Sequence, residues 1–342
     1  MSFNYSKICS NLLEDLPQKM NNVVERRFGL EEEKKETLEA IGKSYDITRE
    51  RVRQIEKEGF SKIKITTENC QKVFQYFNDV LESLGDLKEE KALLYSLGEG
   101  KNQNQIFFLL TLARNFERFP EDQETYSFWT RKKESVGLAK KIINLTFDKL
   151  NKEKKPLALD ELFEIQKTNL SKILNKGLNK DIFGSYLEIS KEIQKNPEGQ
   201  LGLKDWVEIN PRGIKDRAYL ILKREKKPLH FTQVADLIKN SPYFSLRKIH
   251  IATVHNELIK DPRFVLVGRG LYGLKEWGYE PGVVKDIILK VLQKSKKPLS
   301  KEEVFKGVLE QRIVKENTIF LNLQNKNYFS KDSQGRYTIK EN

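Results

Sequence analysis

Apolar residues between positions 37 and 64 recur every three or four residues, the interval that lines one face of a helix at about 100° per residue. In a helix over 48–64, Val52, Ile55, Gly59 and Ile63 fall on one face, and Arg49, Glu50, Arg53, Gln54 and Lys57 on the other. Thr48 is placed to cap it, since its hydroxyl can accept from an orphan amide of the first turn. Residues 37–45 read as a shorter helix with Leu38, Ile41 and Tyr45 inward. Asp46-Ile47 then makes a tight turn, so the pair forms a helix-turn-helix.

Beyond residue 66 the pattern repeats. Lys155-Pro156-Leu157, Lys227-Pro228-Leu229 and Lys297-Pro298-Leu299 lie 72 and 70 residues apart. Gly202-Leu203-Lys204-Asp205-Trp206 returns 71 residues later as Gly273-Leu274-Lys275-Glu276-Trp277. Self-similarity at such a period signals tandem small domains. In the clearest copy, helices are predicted over 215–224, 232–239 and 246–260. Arg263 to Val267 reads as a strand from its β-branched and aromatic content. Gly268-Arg269-Gly270 turns it, and Leu271 to Leu274 return, which makes three helices and a β-hairpin, a winged helix. The copy at 136–207 has its third helix at 175–189. The last copy has helices over 283–294, 301–310 and 315–324, then strands at 328–329 and 336–339. A diverged copy over 67–131 has helices at 71–84, 88–96 and 104–114, with strands at 116–119 and 126–129.

The polar face of the 48–64 helix holds the side-chain types that read base edges: Arg pairs with guanine, Gln with adenine and Glu accepts from cytosine. A solvated, salt-bridged helix has the same charge pattern, and the segments before it tip the balance. Leu12-Leu13-Glu14-Asp15-Leu16-Pro17, Arg27-Phe28-Gly29-Leu30, Thr37-Leu38 with Ile41-Gly42, and Thr48-Arg49-Glu50-Arg51-Val52-Arg53-Gln54-Ile55-Glu56 follow one another in order. Together, residues 8–65 resemble region 4 of the bacterial sigma-70 family, which reads the −35 promoter element. The resemblance implies that Arg49, Glu50, Arg53 and Gln54 lie over the bases. It places Arg27, Thr37, Leu38 and Arg51 near phosphates, and we add Lys57 on the same face. Lys57-Glu58 departs from the family's usual pair, so no role passes to Glu58. The module stands first here with a long chain after it, so the expectation is a sigma-like accessory and not a complete sigma factor.

Residues 212–278, with the wing Gly270-Leu271-Tyr272-Gly273-Leu274-Lys275-Glu276-Trp277, resemble the HARE-HTH family. This is the winged helix shared by the delta subunit of Gram-positive RNA polymerase and some chromatin and restriction proteins. The expected organisation is therefore mainly α: a helix-turn-helix at 1–66, then winged helices at 67–131, 136–207, 212–278 and 282–342.

Composition sharpens the partner class. The 342 residues carry 62 Lys and Arg against 49 Asp and Glu, a net charge of +13, which favours polyanions through counterion release. With 32% charged residues and a mean hydropathy of −0.61, a soluble chain is expected. No apolar run nears the ~18 residues that span a bilayer, no signal-peptide layout opens the chain, and two cysteines suit a reducing cytosol.

Catalytic chemistry is not expected. Asp148, Glu153 and Lys155 make a weak nuclease-like pattern, but Glu-Lys-Lys-Pro-Leu recurs at 225–229, so the repeat accounts for it. His230, His250 and His255 have no metal-ligand spacing with Cys9 or Cys70. No phosphate-binding glycine loop is present, and no cofactor is expected. Trp206 and Trp277 suit core plugs better than stacking platforms. Lys248, His255 and Arg269 fit either a DNA face or an ordinary surface. The expected function is a DNA-binding transcription factor or sigma-like accessory of RNA polymerase, cytoplasmic and nucleoid-associated, with double-stranded promoter-like DNA and core polymerase as partners. The alternative is a delta-like polymerase modulator or interaction scaffold that does not read sequence.

Overall fold

The computed structural model describes residues 3–31, 34–65, 68–173, 179–241 and 249–340. The chain is mainly helical, with small antiparallel sheets consistent with helix-turn-helix and winged-helix units, and it divides into two compact units, Met1–Lys204 and Asp205–Asn342.

Unit 1 begins with helices α1 (Tyr5–Leu13), α2 (Gln18–Phe28), α3 (Leu38–Ser44) and α4 (Arg49–Lys62). There follow α5 (Glu68–Ser83), strand β1 (Leu87–Glu89), α6 (Glu90–Gly98), α7 (Gln103–Leu112), β2 (Glu117–Phe119) and β3 (Phe128–Thr130). Its last part holds α8 (Glu134–Glu153), α9 (Leu159–Ile173), α10 (Lys180–Glu188), β4 (Ile193–Lys195) and β5 (Leu201–Leu203). Unit 2 holds α11 (Gly213–Glu225), β6 (Leu229–His230), α12 (Phe231–Lys239), α13 (Ile251–Lys260), β7 (Phe264–Gly268) and β8 (Leu271–Leu274), then a short 3-10 turn over Lys275–Trp277. It closes with α14 (Val284–Ser295), α15 (Lys301–Leu309), α16 (Glu316–Leu323), β9 (Phe329–Lys331) and β10 (Tyr337–Ile339).

Helix, short extended corner, two helices and an antiparallel strand pair thus succeed one another four times after α4. The corner strand is the piece that periodicity misses. The expected helix over 88–96 starts at Glu90, because Leu87–Glu89 pair with Phe128–Thr130 and the Glu89 carboxylate caps α6 by accepting from the amides of Lys91 and Ala92. Three residues are too few for a period to register, and only the partner strand makes them a strand. The expected third helices of two copies began earlier, at 175 and 246. The described helices there begin at Lys180 and Ile251, and the earlier starts fall largely on residues 174–178 and 242–248, outside the described residues.

One hydrophobic core in unit 1 gathers Tyr5, Leu12, Val24 and Phe28 with Phe77, Leu93, Phe108 and Trp129, so it runs on both sides of residue 66. Polar bonds reinforce it. Gln105 Nε2 donates to the Leu30 carbonyl at 2.7 Å, Asn104 Nδ2 to Gly29 at 3.0 Å, and the Tyr5 hydroxyl to Leu97 at 2.8 Å. In unit 2, Arg312 is buried and donates to the carbonyls of Glu280 and Gly282. Beside it the Ile313 amide donates to Val267 at 2.6 Å, on the free edge of β7. These bonds lock the last module of unit 2 to the sheet of the one before it. Trp277 packs half-buried against the core of its module, edge-on to Tyr279, and Trp206 is half-buried too.

Candidate nucleic-acid interface

Four inward side chains, Val23, Ile41, Val52 and Ile55, close a small core under α3 and α4, with Leu38, Tyr45 and Ile47 around them. The caps follow from sequence: Thr37 accepts from the Ala40 amide at 3.1 Å and Thr48 from the Arg51 amide at 3.2 Å. The turn between the helices is tight. Asp46 has φ 51°, and the Ile47 amide returns to the Gly42 carbonyl at 3.0 Å. A Cβ on Gly42 would sit 2.7 Å from the Ile47 carbonyl oxygen, so that position admits only glycine without a shift.

This leaves the opposite face of α4 in water. Arg49, Glu50, Arg51, Arg53, Gln54 and Lys57 are all exposed. Arg53 chelates Glu50 through two bonds of 2.6 and 2.9 Å, and Arg51 donates to Gln54 at 3.1 Å. The Arg53 guanidinium holds the Glu50 carboxyl below the usual carboxylate range. Such exposed pairs contribute little to stability and open readily when a better partner arrives. Thr37 is exposed at the start of α3. Leu38 and Arg27 do other work: Leu38 packs on the small core, and the half-buried Arg27 donates to the Glu36 carbonyl at 3.0 Å beside Glu56.

Sequence reasoning missed what fixes the back of α4. Phe60 stacks its ring 5.4 Å from Phe28 and 5.7 Å from Phe108 of α7. Lys35 lies 4.1 Å over the Phe107 ring, and burial lowers its pKa. Phe60 gave a signal as an apolar residue off the main stripe, but its partner Phe108 lies more than forty residues along the chain.

The third helices of the later modules differ sharply in access. α7 is buried through Gln105, Ile106, Phe108, Leu109 and Leu110. α10 is buried too, its Ser185 and Tyr186 hydroxyls donating to the carbonyls of Leu87 at 2.6 Å and Gly85 at 2.7 Å. α13 is open, but it exposes Ile251, Ala252, Thr253, Asn256 and Ile259, with Lys260 its one cation. α16 exposes Glu316, Asn317, Thr318 and Leu321. His255 turns inward, stacking on Phe231 at 4.3 Å, whereas Arg269 at the wing turn is exposed. Lys248 lies outside the described residues. Among the described residues, no group of His, Cys, Asp and Glu is placed to hold a metal ion, and no helix is long and apolar enough to cross a membrane.

Comparison with known proteins agrees with this geometry at two places. Residues 12–64 match the model of sigma-70, region 4, and residues 212–277 match that of HARE-HTH, the HTH domain of ASXL and restriction endonuclease proteins. Over 54 residues the chain is 41% identical to RNA polymerase sigma factor SigA of Bacillus sp, covering 16% of this chain and 14% of that protein. Over 53 residues it is 40% identical to the protein of the same name from Lactococcus lactis subsp. cremoris, covering 16% and 15%. The chain therefore spans about one seventh of the length of these curated relatives. Both matched modules are non-catalytic regulatory or DNA-binding units, in keeping with a chain that is not an enzyme. Two regions of this chain thus match known regulatory modules, sigma-70 region 4 at residues 12–64 and the HARE-HTH domain, as in the delta subunit of RNA polymerase, at residues 212–277.

Proposed function

We propose that this chain is a non-catalytic modulator of RNA polymerase that works in the manner of the delta subunit, cytoplasmic and close to the nucleoid. Its parts are a helix-turn-helix at 1–66 and winged helices of three helices and a hairpin at 67–131, 136–207, 212–278 and 282–342. The observation that carries this reading is the face of α13. The third helix of a DNA-reading winged helix presents polar and cationic side chains to a groove. Here it presents Ile251 and Ile259, 46% and 61% exposed, which suit a protein surface. The buried α7 and α10 serve the chain's own packing.

Capture of core RNA polymerase by the full chain tests it. Ile259→Glu should lose the polymerase, while Arg49→Ala/Arg53→Ala should keep it. The reverse pattern would sink the modulator reading and favour a sigma-like contact through the helix-turn-helix.

A second reading has its own support in the open polar face of α4. In it, Arg49, Glu50, Arg53 and Gln54 read a −35-like element, with Arg51, Lys57 and Thr37 at phosphates. Arg53→Ala should then cost about 1–3 kcal/mol on a preferred duplex and relax base choice at one position. Equal losses on promoter and scrambled duplexes, measured by fluorescence anisotropy, would rule out base reading by Arg53.

A further inference from the structure

Four first helices end in the same kind of corner. α5 runs into Gly85-Asp86, α8 into Lys154-Lys155-Pro156, α11 into Lys226-Lys227-Pro228 and α14 into Lys296-Lys297-Pro298. The next residue is always a buried leucine paired with the returning strand: Leu87 with Thr130, Leu157 with Leu201, Leu229 with Tyr272, and Leu299 with Tyr337. Each corner is therefore a rigid point on its module.

Lys154, Lys226 and Lys296 occupy left-handed backbone, with φ of 54°, 53° and 53°. Glycine or asparagine is the usual occupant after a helix, because other side chains crowd the backbone there. The helix dipole does not ask for these lysines, since Lys152, Lys223 and Lys294 already place cations in the last turns. Nor does the fold, since Gly85-Asp86 makes the same corner. That corner is covered: a Cβ on Gly85 would meet Ile182 at 2.5 Å, and Asp86 is held by Arg131 at 2.6 Å. Lysine pairs thus stand at the three open corners and not at the covered one. All six of these lysines are exposed, and among the described residues none has a carboxylate within ion-pair distance, whereas nearby Lys149, Lys223 and Lys294 are paired with Glu153, Glu208 and Glu280. None of the large exposed apolar side chains belongs to a corner. Charge is also unevenly spread: unit 2 holds 27 Lys and Arg against 16 Asp and Glu, and unit 1 holds 35 against 33.

We propose that the three Lys-Lys-Pro corners are contacts for the phosphodiester backbone of duplex DNA. The repeated modules hold DNA, without reading it, at the ends of their first helices and not through their third helices. This goes beyond the polymerase reading and does not depend on it, because DNA binding is measured with no polymerase present.

The test is the salt dependence of binding to a scrambled duplex by the full chain. Lys154→Asn/Lys226→Asn/Lys296→Asn removes three charges with a residue suited to the left-handed corner, so Tm should hold or rise. If each lysine meets one phosphate, the slope of log affinity against log salt should shrink by about 2.7, with roughly 10²-fold weaker binding near 0.1 M salt. Lys260→Gln/Lys315→Gln/Lys326→Gln removes the same charge around α13 and α16 and should leave the slope nearly unchanged. Equal losses in the two variants would reduce the effect to net charge and overturn the proposal. So would an unchanged slope in the corner variant, or polyglutamate of matched charge competing as well as DNA, which would point to an acidic protein surface instead.

Discussion

Phe108→Ala is expected to destabilise unit 1 by about 3–5 kcal/mol, the cost of emptying a fully buried aromatic site. The Phe108 ring is wholly buried, 5.3 Å edge-on from Phe28 and 5.7 Å from Phe60. It belongs to α7, whereas its partners belong to α2 and α4. Its loss therefore opens a cavity between the helix-turn-helix and the module that follows, and α4 loses the support behind its polar face. Thermal unfolding followed by circular dichroism checks the size of the effect. Specific duplex affinity should fall with it, while Leu266→Ala, at a side chain 49% exposed, should leave both nearly unchanged. A Phe108→Ala protein that melts within a degree or two of the wild type would show that the two modules do not share a working core.

Arg263→Met is the second large effect. Arg263 Nη2 donates to Asp216 and to Asp261 at 2.7 Å each, and its guanidinium lies 4.9 Å over the Tyr219 ring. The Asp216 side chain is 9% exposed and that of Asp261 11%. Removing the cation leaves two mostly buried carboxylates without their counter-charge, which costs about 3–5 kcal/mol. The pH dependence separates this from simple loss of packing. In the wild type, the hydrogen bond from Arg263 holds the Asp261 carboxyl below its ordinary value. Its contribution is thus present at neutral pH and is lost as pH falls through that depressed value, below the ordinary aspartate pKa of about 3.9. In the variant the sign reverses, because protonation relieves two carboxylates left facing each other, so stability should rise as pH drops from 7 toward 5. Urea unfolding at pH 7, 6 and 5 reads this directly. A variant that loses stability on acidification in parallel with the wild type would show that packing, and not charge, is what Arg263 supplies.

The helix-turn-helix was legible almost residue by residue. Its stripe of Val52, Ile55 and Gly59, its Thr37 and Thr48 caps and its Asp46 turn are all local, and local patterns need no partner to be read. The HARE-like module was legible for the same reason, helped by the internal repeat. The corner strands were not, since Leu87 or Leu229 alone carries no period and becomes a strand residue only beside Thr130 or Tyr272. Nor could the sequence separate exposed third helices from buried ones. α7 and α13 are both apolar segments of ten residues, and burial depends on which other helix comes to lie against them.

By itself, then, the sequence determined the element types, the repeat, the cationic surplus and the polar face of α4, because these follow from periodicity, caps and charge. Only the tertiary structure decided how those elements are used. It joined α1 and α2 to α7 in one core through Phe28, Phe108 and Gln105, it covered the Gly85 corner with α10, and it left three lysine corners in water. Those outcomes rest on contacts between residues as much as 101 positions apart, a range at which hydrophobic periodicity carries no information.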